Sequence, residues 1–164
     1  YRMSNVVAGI GRGQLKVLDQ RVAKKKYIFE FYKRELGQLE GVEFMPINDW
    51  NEPNYWLSVM TLKGKVRPLE VMEALEKENI ESRPVWKPMH MQPYYRNNAF
   101  VNREGTGRGL SDAYIPGGLI SDVDDKPLDV GADIFSRGLC LPSDNKMTEQ
   151  EQDKLIGIIR ACFD

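Results

Sequence analysis

Apolar residues recur in the first part of the chain at Leu15, Leu18, Val22, Phe29, Tyr32 and Leu36, at spacings of three, four and seven, with charged or polar residues between them. This is the rhythm of an amphipathic helix, and it predicts one long helix over residues 4–36 that ends in a left-handed stop at Gly37. Lys24, Lys25 and Lys26 fall near its middle and read as a solvated face. Residues 42–45 and 55–62 read as strands, and the turn-rich stretches around Pro46 and Pro53 between them predict a hairpin. Pro68 suits the first turn of a second helix, whose Leu69, Met72 and Leu75 share a face and which ends near Asn79; residues 81–85 then return as a third strand. Thr148 and Glu151 spell a capping box, and Leu155, Ile156, Ile159 and Phe163 give the last helix its apolar face. Residues 97–128 are glycine-rich with little periodicity and predict a long loop, after which Asp129 caps a short helix reaching Arg137. The order is that of an α+β fold, a long N-terminal helix leading into a small antiparallel sheet packed with helices. Two units are expected, a connecting helix at 1–36 and an α+β domain at 37–164.

Composition narrows the class. Of 164 residues, 41% are apolar and 29% charged, the balance of a chain that folds. Lys and Arg number 23 against 24 Asp and Glu, so a net charge of -1 gives no electrostatic basis for a nucleic-acid partner or an acidic membrane. Any anion site has to be local. No apolar run approaches the ~20 residues that span a bilayer, and no basic-then-apolar leader opens the chain. Cys140 and Cys162 stand far apart without CxxC or Cys/His spacing, which argues against zinc or a disulfide scaffold and favours a cytoplasmic setting. The opening Tyr1-Arg2-Met3 has no initiator methionine ahead of it and is expected to be a cut boundary.

Residues 83–94 hold the densest group of chemically distinctive side chains: Arg83, Trp86, Lys87 and His90, the single histidine, among Pro84, Pro88 and Pro93. Each proline fixes its own φ and keeps the residue before it out of helical space, so Arg83, Lys87 and Gln92 are expected in extended or turn geometry. A guanidinium fork, an ammonium, an indole face and an imidazole held in this way suit a nucleotide diphosphate. The structural alternative makes Trp86 and the methionines core, pairs Arg83 with a surface carboxylate and leaves His90 capping a loop. A metal site is not indicated, since His90 has no second histidine and no carboxylate at ligand spacing. Arg2 precedes the long helix, whose N-terminus attracts anions, or is simply a frayed end. The glycines at 105–109 lack the strand before and the helix after that a phosphate loop needs. Both cysteines read as packed thiols.

Three motifs, taken in order, resemble one family. They are Tyr-Arg-Met-Ser opening a long helix, Glu-Ser-Arg-Pro-x-Trp-Lys-Pro-Met-His-x-Gln-Pro at 81–93, and Arg-Gly-Leu-Cys-Leu-Pro-Ser at 137–143 before a Thr-capped last helix. Together they resemble the DegT/DnrJ/EryC1/StrS sugar aminotransferases over nearly the whole chain, with 101–128 looking like an enlarged loop that has no family parallel. The Trp-Lys-Pro-Met-His form is most similar to members that aminate a UDP-linked 4-keto-6-deoxy-N-acetylhexosamine. The resemblance implies the C-terminal domain of a fold type I aminotransferase. Such an enzyme uses pyridoxal 5'-phosphate, works as a homodimer with shared active sites, and passes an amino group from glutamate to a nucleotide-linked keto sugar for polysaccharide or glycan synthesis. It implies that the Schiff-base lysine lies upstream of Tyr1 and that this chain alone is inactive. Arg2 would then face the partner's site near the substrate phosphates, and His90, with Trp86 and Arg83, would line the sugar-nucleotide pocket. Two other readings stay open: a sugar dehydratase on the same scaffold, with histidine in place of that lysine, and a non-catalytic binding domain.

Overall fold

Ser4 accepts a hydrogen bond from the Val7 amide at 3.3 Å and so opens the first helix. The computed structural model describes residues 2–95, 98, 101 and 129–164; most of the loop expected at 97–128, with its glycines at 105–109, lies outside the described residues. Where the sequence predicts one helix over 4–36, the structure has two, α1 (Asn5–Leu15) and α2 (Leu18–Leu36). Val17 leaves helical geometry at φ -116° and ψ 4°. The reason is local: α1 contains Gly9, Gly11 and Gly13, weak helix formers, and buries no residue that would hold it in line with α2. Leu15 and Leu18 are accordingly exposed, and the buried face begins with Ile28, Phe29, Tyr32 and Leu36. Gly37 is right-handed at φ -67°, not the left-handed stop expected. The left-handed turn comes at Gly41, φ +80°, where a Cβ would collide with the Lys63 carbonyl oxygen.

The expected hairpin forms, with β1 (Val42–Phe44) and β2 (Ser58–Leu62) antiparallel and Val42 opposite Leu62. But β1 ends one residue early and β2 starts three residues later than the 55–62 predicted, because Tyr55 turns to positive φ. The third strand, β3 (Arg83–Pro84), is shorter than the 81–85 predicted. It does not join β2. A strand that the sequence pattern did not predict, β4 (Gly138–Leu141), inserts between them to give the antiparallel order β1-β2-β4-β3. Pro84 is tolerated because β3 is an outer strand.

Val42, Met60, Leu62, Leu139 and Leu141 meet α2 residues Ile28, Tyr32 and Leu36 in one core. Onto it close Val71 and Leu75 of α3 (Pro68–Lys77) and Leu155, Ile156 and Ile159 of α5 (Glu149–Ala161). Each such side chain contributes roughly 1.5–3 kcal/mol through burial. Leu69, expected on the packed face of α3, is 60% exposed, and Val71 takes that place. The predicted box at α5 is present: Glu151 N donates to Thr148 Oγ1 at 3.2 Å, and Thr148 N donates to Glu151 Oε2 at 2.8 Å. Asp129 caps α4 (Val130–Arg137), as expected. That helix packs with a short turn at Met89–Met91 in a second, smaller cluster of Met91, Ala132 and Phe135. Among the described residues no helix is long and apolar enough to cross a membrane.

Candidate functional site

The end of β3 leads straight into the chemically rich segment. Val85 N still donates to Gly138 O at 3.3 Å, holding the strand edge, and then Trp86, Lys87 and Pro88 leave the sheet. The chain tightens into two short turns, with Met91 N bonded to Pro88 O at 3.0 Å and Tyr95 N to Gln92 O at 2.9 Å. Met91, 1% exposed, pins the first turn to α4.

Across from this segment, the approach to β2 supplies a second aromatic. Tyr55 adopts φ 51°, uncommon for a residue with a Cβ, and its ring is buried 5.3 Å from that of Phe29. The reversal sends Tyr55 inward and leaves Trp56 64% exposed, its amide donating to Asn54 Oδ1 at 3.0 Å. Trp56 and Trp86 then meet with ring centroids 5.7 Å apart and planes at 35°. They form a lip of a cleft of about 560 Å³ that Arg83, Lys87, Phe135 and Cys140 also line. Aromatic faces flanked by cations form a surface that a nucleotide fits: bases stack on indoles and phosphates pair with guanidinium.

Arg83 binds Glu81, with Nη2 at 2.5 Å and Nε at 2.7 Å from one carboxylate oxygen. Both side chains are more than 70% exposed, so the pair contributes little to stability and Glu81 can give way to an incoming anion. Burial raises the Cys140 thiol above its ordinary value, which keeps it protonated and unreactive, the packed thiol expected.

Behind Trp56 stands Lys25. Its ammonium donates to the Trp56 carbonyl oxygen at 3.1 Å and also to that of Ser143. Ser143 Oγ in turn accepts from Ser58 N and donates to Leu141 O, both at 3.0 Å. Loss of water around Lys25 lowers its pKa, partly offset by Asp144. The solvated-face expectation therefore fails for Lys25, which buttresses the cleft, although Lys26 is exposed.

The four residues singled out from the sequence do not gather at one point. Arg83 and Trp86 line the cleft. His90 lies outside its walls, with Nε2 hydrogen-bonded to Asp129 Oδ2 and the two side chains 18% and 10% exposed. Arg2 is exposed just before the Ser4 cap. Of the structural alternative, two parts are realised: Met91 is core and Arg83 does pair with a surface carboxylate. Trp86 and Met89, at 62% and 63% exposed, are not core. Sequence reasoning does not single out Trp56, because it lies second in a segment, 55–62, that reads only as a strand; its signal is a pair of bulky aromatics, Tyr55 and Trp56, after a turn-rich stretch. Lys25 and the Asp129 contact gave no signal, since nothing in a lysine triplet or in residues 39 positions apart announces a partner.

Pyridoxal phosphate needs a lysine and a partner for its ring nitrogen, together with a phosphate cradle. Among the described residues the cleft offers Lys87 but no glycine-rich turn opening a helix beside it, and Lys25, Lys63 and Lys154 are engaged elsewhere. These residues do not by themselves make that cofactor's pocket. Nor do they hold a group of three or more His, Cys, Asp or Glu that could bind a metal.

A model of the DegT/DnrJ/EryC1/StrS aminotransferase family matches residues 1–108. EpsN of Bacillus subtilis (strain 168), whose name assigns it provisionally to the pyridoxal phosphate-dependent aminotransferases, is 40% identical over 163 residues, 99% of this chain and 37% of EpsN. The GDP-perosamine synthase of Vibrio cholerae is 35% identical over 126 residues, 73% of this chain and 32% of that protein. The chain thus spans about a third of the length of these curated relatives. Among solved structures, DesV of S. venezuelae superposes with a TM-score of 0.74 at 18% identity, covering 98% of this chain and 36% of DesV. Helicobacter pylori PseC, an aminotransferase involved in the biosynthesis of pseudoaminic acid, superposes at 0.73 and 14%, covering 99% and 38%. The antiparallel sheet with its packed helices is therefore a fold found within fold type I aminotransferases, and the chain belongs to the DegT/DnrJ/EryC1/StrS aminotransferase family.

Proposed function

We propose that the complete protein is a pyridoxal phosphate-dependent aminotransferase, a cytoplasmic homodimer that moves an amino group from glutamate onto a nucleotide-linked keto sugar. The sugar is a UDP-4-keto-6-deoxy-N-acetylhexosamine, and the product serves cell-surface polysaccharide or glycan synthesis. The observation that carries this reading is the cleft of Trp56, Trp86, Arg83 and Lys87 in a chain of this family. A cofactor of this kind, when bound, carries the amino group between donor and keto carbon. The part of this chain is to hold the remote end of the substrate. The indoles offer a face to the base, Arg83 exchanges Glu81 for a phosphate oxygen, Arg2 from the other subunit meets the substrate phosphates, and His90 lines the sugar-nucleotide pocket. Fixing that end positions the carbonyl, and such positioning is a large share of many rate enhancements.

The test is turnover by the full-length protein with pyridoxal phosphate, glutamate and the UDP-linked keto sugar, with a GDP-linked keto sugar as comparison. Equal yields of amino sugar and 2-oxoglutarate are expected. A dehydrated sugar formed without loss of glutamate points to the dehydratase instead, and no turnover with either sugar sinks the reading. Replacing Arg2 with Ala removes a charge-assisted contact, so KM for the sugar should rise roughly ten- to a hundredfold, and replacing His90 with Gln removes a neutral one, so KM should rise roughly threefold to tenfold, with the donor half-reaction unchanged in both. Mixing the Arg2 variant with a variant of the cofactor lysine should restore activity if the sites are shared between subunits.

A further inference from the structure

Asp129 uses its two carboxylate oxygens for different purposes. Oδ1 accepts from the Ala132 amide at 3.0 Å and caps α4, while Oδ2 bonds His90 Nε2. Both side chains are largely buried. A cap alone does not require a carboxylate, because Asn or Ser at that position would cap as well. Toward His90 the carboxylate matters: when ionised it only accepts, so Nε2 must carry the hydrogen and the ring is held in one orientation. Its own anchorage is firm, since the first turn of α4 holds Oδ1 and α4 packs on β2 and β4. The segment that carries His90 leaves the sheet after Val85, and the buried Met91 and this bond are among its ties to α4.

We infer that Asp129 is a positioning residue for His90, fixing the imidazole so that Nδ1 accepts from a hydroxyl of the nucleotide sugar; this rests on the proposed reading of His90 as a substrate-side residue. A polar side chain acts on a ligand in proportion to how well it is held before the ligand arrives, and Asp129 provides that hold.

Asp129→Asn in the full-length enzyme separates the cap from the positioning. The amide oxygen still accepts from Ala132, so melting should stay close to that of the parent, while the amide nitrogen now faces Nε2 and demands a bare nitrogen there. KM for the nucleotide sugar should rise roughly threefold to tenfold, the scale of one hydrogen bond, with the donor half-reaction unaltered. In spectra of ¹⁵N-histidine-labelled enzyme, the ring signals that His90→Gln deletes should move from the Nε2-protonated to the Nδ1-protonated pattern. Parent-like KM and parent-like ring signals would reduce Asp129 to a cap. Ring signals that move without any change in KM, while His90→Gln does raise it, would overturn the positioning role alone. If His90→Gln leaves KM unchanged, the substrate-side reading of His90 fails first and this inference falls with it.

Discussion

Lys25 on α2 donates to the backbone carbonyl oxygen of Trp56 at 3.1 Å, tying the longest described helix to the aromatic side of the cleft. Its second bond, to Ser143 O, reaches another residue that lines the cleft. Lys25→Met keeps the stem and removes both donors, and it should cost about 1–2 kcal/mol in urea denaturation, a figure reduced for partial exposure. Tryptophan emission should shift as Trp56 loosens. An unchanged midpoint and spectrum would mean that water satisfies both carbonyls equally well.

Gly138 opens β4 where no side chain fits. A Cβ there would lie 2.5 Å from Ile134 O and 2.7 Å from Val85 Cγ2, between the end of α4 and the edge of β3. Gly138→Ala is therefore expected to destabilise by about 1–3 kcal/mol, with the loss visible as a lowered thermal midpoint. An equal or higher midpoint would show that Val85 moves aside freely.

If the indole pair receives the base, Trp56→Ala and Trp86→Ala should each raise KM for the nucleotide sugar roughly five- to a hundredfold, since stacking contributes ~1–3 kcal/mol per base. Phe at either position should recover much of the loss. The decisive control is a sugar phosphate lacking the base: an equal loss of its turnover in the Ala variants would remove stacking from the explanation.

What the sequence made legible depended on periodicity and caps. The β1–β2 hairpin, the Thr148 box and the Asp129 cap could be read because each is encoded within a few residues. The strand β4 could not: Gly138, Leu139, Cys140 and Leu141 are all buried, so no alternation betrays a central strand. The break between α1 and α2 was hidden for a different reason, because apolar spacing carries on through Leu15 and Leu18 although neither is packed. Site residues followed the same divide. Arg83 and Trp86 stood out within one proline-rich run, whereas the roles of Lys25 and Asp129 exist only once distant segments meet.

Buried acids of the core make the fold sensitive to alkali. Burial raises the Tyr32 phenol above 10.0 and the Cys140 thiol above 9.0. Tyr32 also donates to Pro142 O at 2.9 Å. The unfolded chain loses these protons first, so their contribution is complete below about pH 9 and is lost as pH rises through the raised values. Lys25, shifted downward from 10.5, acts in the opposite sense over part of the same range. The parent should therefore be compared with the double variant Tyr32→Phe, Cys140→Ala by urea denaturation between about pH 8 and 11. The variant starts less stable but should decline less steeply; parallel slopes would contradict the assignment.

The insertion of β4 between β2 and β3 has a consequence during synthesis on the ribosome. After β2 emerges, the edge that Leu139 and its neighbours will occupy stays open until the chain has been extended past Leu141. At about 5–20 residues per second that interval lasts several seconds. Through it, Met60 and its strand present unsatisfied backbone groups to any other nascent chain nearby, the situation in which strands pair wrongly. Crowded polysomes, slow codons between β3 and β4, or loss of the terminal residues should therefore lower the soluble yield of this protein more than its final stability would suggest.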